Sequence, residues 1–358
     1  MQDNPNKPGA MTRRAFIKAA AGAAIAAPYI SRAASNSGVV VVRSAGGSTE
    51  ENNRKNIWTP FERETGIRVV PVAATAGKLL AMQKAGNAEL DVIDIGADQL
   101  LSLSRRGALA SIDYASWKKA VPSDIPNEYK SEQWVGYSLY GALLGYSTQD
   151  FPTSHPTSWQ DFWDVKKFAG PRALRGLASG NPDLEFALLA DGVPRDKLYP
   201  LDLPRAFASL NRIRSSIPKF WETGALSVQM LTDREVLMSS MWTTRIIPAI
   251  RSGVRLGYEW KDHLIMVQSY GIFKKAPNFD NAQRFIEFAL RPENNSVNAM
   301  TQGAGPTNSK SAPLLPREYV DNNVGGANTR SQGILMDINW WEDHREEIGR
   351  EWAKWIQS

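Results

Sequence analysis

Apolar runs alternate with amphipathic stretches along most of the chain after residue 38. The first run, Val39–Val42, is typical of a buried strand, and the stretch behind it ends at Gly66, which suits a left-handed helix cap. Further strands are predicted at Ile67–Val72, Asp91–Ile95, Tyr140–Tyr146, Glu235–Trp242 and Ile265–Phe273. Further helices are predicted at Lys78–Ala85, Leu100–Arg105, Leu184–Asp191, Leu203–Ile217, Thr243–Arg251, Ala282–Leu290 and Trp340–Ile356. This alternation predicts an α/β fold with mostly parallel sheets that are flanked by helices.

A loop rich in glycine and hydroxyl groups joins the first strand to the first helix. Open α/β sheets usually bind ligands at the carboxyl ends of their strands, and a helix N-terminus favours negative charge there. The loop residues Ser44, Gly46, Gly47 and Ser48 are therefore candidates for contact with an anionic group. An ordinary tight turn without a ligand is the alternative.

The N-terminal residues have the pattern of an export signal. Arg13 and Arg14, followed by Phe16 and Lys18, precede a short apolar run and small residues near position 34. The pattern resembles the signal for twin-arginine export of folded proteins, with cleavage near residue 34. Because the apolar run is too short to span a bilayer, the alternative of a membrane anchor is disfavoured. We therefore expect residues 1–34 to be removed and the mature protein to be periplasmic.

The net charge of the chain depends strongly on this N-terminal segment. The chain holds 42 Lys and Arg against 37 Asp and Glu, and five of the bases and one of the acids precede residue 35. The remainder carries 37 bases and 36 acids, so nucleic acid is not an expected partner. The chain has no cysteine, which excludes disulfides and a lipid attached to cysteine. About 324 residues follow the signal, more than one hydrophobic core usually serves, and two lobes are expected.

Five segments, taken in order, resemble the solute-binding proteins of ABC importers, and in particular their spermidine/putrescine-binding branch. The segments are Phe61–Ile67, Pro156–Asp164, Asp233–Trp242, Asn281–Phe288 and Gly305–Asn308. The resemblance implies the type II periplasmic binding protein fold, in which two α/β lobes close on a ligand in the cleft between them. It also implies delivery of that ligand to a membrane permease, and we expect a monomer. The expected N-terminal lobe comprises residues 35–142 and 269–312, and the expected C-terminal lobe comprises residues 143–268 and 313–358.

The sequence departs from the polyamine-binding relatives at positions where those proteins use acidic side chains to hold ammonium groups. The corresponding position on the strand Ile265–Phe273 is Gln268. Asp183 and Glu185 lie close to a second expected acidic pair, but they stand where a helix begins and so suit its dipole. A buried ammonium without a carboxylate is strongly destabilised, which disfavours a strict polyamine site.

An arginine and two aromatic residues favour a different ligand. Arg245 lies one turn into a helix that is predicted to begin beside Trp242, and arginine binds a carboxylate through paired charge-assisted hydrogen bonds. Trp242 and Tyr270 lie at strand ends that reach the expected cleft and could stack on an alkyl chain or a cation. We therefore expect a carboxylate-bearing solute such as an ω-amino acid. The alternatives are a polyamine, another anion such as sulfate or phosphonate, and pairing of Arg245 with a surface acid.

Features of an enzyme site are scarce in the sequence. His155, His263 and His344 are scattered, and with no cysteine the usual spacings of metal ligands are absent. The sequence also lacks a G-x-S-x-G elbow and a P-loop. We therefore expect a binding protein without catalytic residues, metal or cofactor, and a periplasmic hydrolase or lyase is the alternative from another class.

Overall fold

Residues 38–357 of the chain are described by a computed structural model. Its strands are β1 (Val39–Ser44), β2 (Arg68–Ala73), β3 (Val92–Gly96), β4 (Leu109–Ala110), β5 (Trp134–Ser147), β6 (Arg172–Ala173), β7 (Met238–Trp242), β8 (Leu256–Phe273), β9 (Gly305–Pro306) and β10 (Gly333–Leu335). Its α-helices are α1 (Gly47–Asn53), α2 (Thr59–Thr65), α3 (Ala76–Ala85), α4 (Ala97–Arg105), α5 (Trp159–Trp163), α6 (Leu184–Ala190), α7 (Leu203–Ile213), α8 (Gly224–Thr232), α9 (Thr243–Arg251), α10 (Phe279–Ala289), α11 (Pro292–Gln302), α12 (Arg317–Asp321) and α13 (Ile338–Gln357). The predicted export signal, residues 1–34, lies outside the described residues.

The strands form one mixed sheet in the order β2-β1-β3-β8-β5-β7-β6, with β4 and β10 paired to β8 and β9 paired to β5. β1 runs parallel to both of its neighbours, as the alternation of strands and helices predicts. β8 runs antiparallel to β3 and to β5, and β7 runs antiparallel to β5. The two long strands therefore join a parallel region at one end of the sheet to a second region around β7.

The predicted helix that ends at Gly66 is present in three consecutive pieces. α1 continues through a π-helical turn, Arg54–Trp58, into α2. Ile57, Trp58 and Phe61 are buried on its inner side, and Gly66 ends it with a φ of 71°. A left-handed backbone of this kind is unstrained for glycine alone among the residues, which explains the end of the helix at this point.

The strands β5 and β8 are much longer than the segments Tyr140–Tyr146 and Ile265–Phe273 that the sequence predicts. β5 has 14 residues and β8 has 18. Their pairing shifts register at two places, one of them between Ala142 and Leu144. Irregularities of this kind bend a strand, so one pair of strands can serve two differently oriented halves of a sheet.

Separate hydrophobic cores lie along this pair of strands. One core packs β1, β3 and α10 around residues that include Phe61 and Phe285. A second core packs α6 and α7 against the terminal helix α13, and a smaller third core lies beside it under α8 and α9. On β5, Leu139 belongs to the first core and Ala142 to the second. Within residues 38–357, no helix combines the length and the apolar composition that a bilayer crossing needs.

Candidate functional site

A cleft of about 600 Å³ opens at the carboxyl ends of β1, β3 and β7, between the regions that pack on the first core and on the other two. The middle of β5 and β8, the loop after β6 and the first turns of α1, α4, α8 and α9 complete its walls. Six of the eight residues proposed from the sequence line the cleft, namely Gly46, Gly47, Ser48, Trp242, Arg245 and Gln268. Ser44 and Tyr270 are buried behind the lining, and their role as ligand contacts stays a prediction.

The glycine loop is held by its first serine. Ser44 Oγ accepts a hydrogen bond from the backbone N–H of Gly46 (3.0 Å) and donates to Glu50 Oε2 (2.6 Å). Gly46 and Gly47 have φ values of 74° and 57°, and nothing lies within 4 Å of the place where a Cβ would stand at either residue. Glycine is therefore needed here for the path of the backbone rather than for space.

Arg245 extends from the first turn of α9 across the cleft to this loop. Its Nη1 donates to Ser48 Oγ (3.1 Å) and its Nη2 to Thr49 Oγ1 (3.3 Å). Its Nε is buried and finds no acceptor among the described residues. Burial lowers the pKa of the guanidinium. The structure thus brings together Arg245 and the glycine loop, the two features that the sequence suggests for an anionic group.

Arg175 is a cleft residue that the sequence reasoning missed. It follows the two-residue strand β6, too short for its pattern to be recognised, and its side chain is 1% exposed. Its Nε lies 3.3 Å from Asp183 Oδ1, and its buried Nη2 has no hydrogen-bond partner within residues 38–357. A buried guanidinium with a free N–H group at a cleft is suited to bind an acceptor on a ligand.

The two acids that the sequence offered as polyamine contacts are engaged elsewhere. Asp183 Oδ2 accepts from the backbone N–H of Arg175 (2.6 Å) and from the hydroxyl of Ser240. Glu185 Oε1 accepts from Tyr199 Oη (2.6 Å) and Trp341 Nε1 (2.7 Å). Both carboxyls are fully buried, which raises their pKa, and neither lines the cleft.

Two acids line the cleft, the exposed Glu222 and the buried Asp98, which lies beside Tyr140. The sequence predicts a helix from Leu100, but α4 begins at Ala97 and places Asp98 in its first turn. Its Oδ2 accepts a long hydrogen bond from Asn181 Nδ2 (3.4 Å) and lies 3.8 Å from Arg345 Nη2. Burial raises its pKa, and the charge of Arg345 opposes that shift. The position directly after β3, at the carboxyl edge of the sheet, was the available sequence signal.

Gln268 belongs to a hydrogen-bonded group around a second buried acid, Asp94. Gln268 Nε2 donates to Asp94 Oδ1 (2.7 Å), Tyr137 Oη donates to the same oxygen (3.1 Å), and Asn53 Nδ2 donates to Oδ2 (3.3 Å). Burial raises the pKa of Asp94 to about 6, although these hydrogen bonds and Arg43 oppose the shift. Gln268, which the sequence analysis placed at an acidic position of the polyamine-binding relatives, thus lines the cleft and donates to this internal carboxyl.

The aromatic candidates have different surroundings. Trp242 meets Tyr140 edge to face, with ring centroids 6.1 Å apart, and its buried Nε1 has no acceptor in the described part of the chain. A Cβ at Gly224 would lie 2.8 Å from Trp242 Cε3 and 2.9 Å from Arg245 Cγ, so only glycine lets α8 approach both side chains. Tyr270 stacks on Tyr137 at 4.1 Å, and Tyr137 lies between Tyr270 and the cleft. Among the described residues, no group of three or more His, Asp or Glu is placed to hold a metal.

Comparison with known proteins gives this geometry a family. The family model described as "Bacterial extracellular solute-binding protein" matches residues 56–323. The gamma-aminobutyric acid-binding protein of Pseudomonas aeruginosa is 32% identical over 304 residues, which cover 83% of this chain and 84% of that protein. The solved structure of the Atu4243-GABA receptor is 31% identical with a TM-score of 0.79, and the match covers 88% of this chain and 97% of that one. A spermidine/putrescine-binding periplasmic protein of Salmonella typhimurium is 22% identical over 202 residues, 56% of each chain.

These similarities confirm the resemblance and the type II fold that the sequence suggested. The family model covers well over half of the chain, and the relative at 32% identity extends over most of both proteins. The chain belongs to the bacterial extracellular solute-binding protein family, as the substrate-binding protein of an ABC transporter.

Proposed function

We propose that the protein captures an ω-amino acid of the size of γ-aminobutyrate and delivers it to its permease. The observation that carries the proposal is a group of buried N–H donors on residues that line the cleft, none with a hydrogen-bond acceptor among residues 38–357. They are Arg175 Nη2, Trp242 Nε1 and Arg245 Nε, beside Arg175 Nε, which makes no hydrogen bond but lies 3.3 Å from Asp183 Oδ1. A buried donor without an acceptor costs about 1–3 kcal/mol, and a ligand carboxylate offers two oxygen atoms that accept such bonds.

The second end of the ligand has an acid of its own. Asp98 lines the cleft with Tyr140, its carboxylate accepts backbone hydrogen bonds at the start of α4, and its nearest cationic side-chain nitrogen, Arg345 Nη2, is 3.8 Å away. An ammonium group would stabilise the charged form of this buried carboxyl and could contact the ring of Tyr140. A molecule that carries both a carboxylate and an ammonium group offers an acceptor to these donors and a cation to Asp98.

A diamine suits the same cleft less well. Two ammonium groups need two acids, but Asp94 is hydrogen-bonded to Gln268, Asp183 is paired with Arg175, and Glu222, which lines the cleft beside Asp98, is exposed to solvent. One end of a diamine would instead face the guanidinium groups of Arg175 and Arg245. The names of two relatives, a GABA-binding protein and a GABA receptor, support the same choice of ligand.

The remaining features of the proposal follow from the sequence and the family. The protein would be exported through the twin-arginine signal at residues 1–34 and would act in the periplasm as a monomer. Residues 35–142 with 269–312 and residues 143–268 with 313–358 would form the two lobes. The donors on the second lobe and Asp98 on the first would then meet around the ligand as the lobes close.

The test is calorimetric titration of the mature protein with γ-aminobutyrate, butyrate and putrescine. We expect γ-aminobutyrate to bind well, and butyrate and putrescine, which each lack one of its charged groups, to bind at least about 100-fold more weakly. Arg245→Ala should weaken γ-aminobutyrate binding about 10- to 30-fold, since it removes charge-assisted hydrogen bonds.

Arg251→Ala is the matched control, because Arg251 lies at the other end of α9, is exposed and donates to Met300 O outside the cleft. It should leave the affinity unchanged. Tighter binding of putrescine than of γ-aminobutyrate, or an Arg245→Ala variant with wild-type affinity, would contradict the proposal.

A further inference from the structure

A row of alternating charges connects the cleft to the terminal helix α13. Asp98 on α4 lies 3.8 Å from Arg345 Nη2, and Arg345 Nε donates to Glu342 Oε2 (2.7 Å). Glu342 Oε1 lies in turn 3.8 Å from Arg106 Nη2, directly after the end of α4. The two acids are shielded from solvent, with Glu342 8% and Asp98 7% exposed at the side chain, whereas Arg345 is 30% and Arg106 46% exposed.

Arg345 is placed beside the cleft without lining it. Its Nη2 is buried and makes no hydrogen bond within the described residues, although its side chain as a whole is 30% exposed. Its charge is shared between Glu342, which it contacts closely, and Asp98, which it approaches at a longer distance. An ion pair at 3.8 Å in a partly buried site still changes the equilibrium constant for ionisation or ligand binding several-fold.

Other charged and polar groups near Asp98 do not replace Arg345. Arg175 also favours the charged form of Asp98, but it is paired with Asp183. Tyr140 on β5 and Asn181 in the loop before α6 are uncharged. Arg345 is therefore the main internal countercharge of the acid that would receive a ligand ammonium.

We propose that Arg345 is a specificity-determining residue that makes the cleft reject dications. This inference rests on the proposed function, since it assumes that Asp98 receives an ammonium group. Arg345 adds one positive charge just behind Asp98. In a zwitterion, the repulsion between Arg345 and the ammonium group is partly cancelled by the attraction between Arg345 and the carboxylate. In a dication, both ammonium groups are repelled.

The experiment is titration of γ-aminobutyrate and putrescine into Arg345→Gln at pH 8. The ratio of putrescine affinity to γ-aminobutyrate affinity should rise about tenfold over that of the wild type. Arg345→Lys should restore the wild-type ratio to within about threefold, since it keeps the charge. The acid limb of γ-aminobutyrate binding should also move to higher pH in Arg345→Gln, because Asp98 loses the cation that favours its charged form.

Two further variants distinguish the effect of the charge of Arg345 from the effect of a weaker attachment of α13 to α4. Arg105→Gln removes the bonds of Arg105 to Asp343 and Asn339, which also join α4 to α13, without touching Asp98. It should leave the affinity ratio unchanged. Glu342→Gln frees Arg345 from its close partner and should lower the ratio, opposite to Arg345→Gln. This variant decides the matter if Arg345→Gln does not fold.

The outcomes distinguish the two proposals. If the wild type binds no ω-amino acid, the proposed function fails and this inference fails with it. If the wild type binds γ-aminobutyrate and neither Arg345→Gln nor Glu342→Gln changes the ratio, only the role of Arg345 is overturned. The same holds if Arg105→Gln changes the ratio as much as Arg345→Gln does.

Discussion

The two walls of the cleft differ in how far their polar groups are satisfied. On the satisfied wall, Asp94 accepts hydrogen bonds from Tyr137, Gln268 and Asn53, and both of its oxygens are occupied. On the open wall, formed by Arg175, Trp242 and Arg245, each residue has a buried N–H donor that finds no hydrogen-bond acceptor in the described part of the chain. The difference indicates which wall is complete by itself and which needs a ligand.

The unsatisfied polar groups of the open wall are all of one kind. The open wall lacks acceptors, not donors, so the group that completes it must be rich in lone pairs. A carboxylate fits this description, and an ammonium group would worsen the imbalance. The satisfied wall could be rigid before the ligand arrives, which reduces the entropy that binding costs.

The largest expected effect comes from breaking the open wall at Arg175. Arg175→Lys keeps the charge beside Asp183 but removes the planar fork and its Nη2 donor. We expect γ-aminobutyrate affinity to fall about 100-fold in calorimetric titration, while the unfolding free energy changes much less than for loss of the charge.

Arg172→Lys is the matched control for this variant. Arg172 is buried in β6, three residues before Arg175, and donates to the carbonyl oxygens of Phe162 and Phe168, outside the cleft. Its replacement should lower the unfolding free energy and leave the affinity of the folded protein unchanged. Equal losses of affinity in the two variants would mean that Arg175 acts through the fold and not through the ligand.

A change in the satisfied wall should alter the free energy of unfolding rather than the affinity for the ligand. The folded state raises the pKa of Asp94 from 3.8 to about 6, so this residue stabilises the fold most below pH 4. That contribution is lost as the pH rises through about 6. In Asp94→Asn the loss is absent, so the stability of the variant relative to wild type should improve by on the order of 2 kcal/mol between pH 4 and pH 7.

Urea unfolding at several pH values, followed by fluorescence, measures this difference. Subtracting the wild-type unfolding free energy from that of Asp94→Asn at each pH removes the contributions of the other titrating groups, provided that the variant keeps their surroundings. A difference that stays constant from pH 4 to pH 7 would show that Asp94 titrates normally in the folded protein, and the satisfied wall would then be less buried than its geometry indicates.

Sequence reasoning identified some of the residues of the open wall and missed others. Arg245 and Trp242 were identified because Trp242 ends a recognisable strand and Arg245 lies one turn into the helix that follows it. Arg175 and Asp98 were missed because their roles depend on partners far away in the chain, Asp183 behind one and Arg345 behind the other. Such pairings arise from tertiary packing, which periodicity does not encode.

The fold was more predictable than the site for a related reason. The order of strands and helices follows from local pattern, and the end of a helix at Gly66 follows from one residue. The full length of β8 does not, because its first half contains Glu259, Lys261 and Asp262, which interrupt the apolar run. Pairing with β5 holds this half as a strand although its composition alone does not favour one.

The smallest expected effect concerns the link between the glycine loop and the open wall. Ser48 Oγ accepts from Arg245 Nη1 at 3.1 Å in an exposed position, so water can replace much of this bond. Ser48→Ala should therefore weaken γ-aminobutyrate binding only about two- to threefold. Ser252→Ala, at the exposed far end of α9, should have no effect, because its hydroxyl donates to Ala249 O within the same helix region.

A double-mutant cycle gives this small effect a clear meaning. If Ser48 acts by holding Arg245 in place for the ligand, Ser48→Ala should cost nothing further in the Arg245→Ala background. The same two- to threefold loss in both backgrounds would show that the hydroxyl contacts the ligand, or orders the loop, independently of Arg245. The glycine loop would then be a ligand contact in its own right, as its sequence first suggested, and the open wall would extend across the cleft to Ser48.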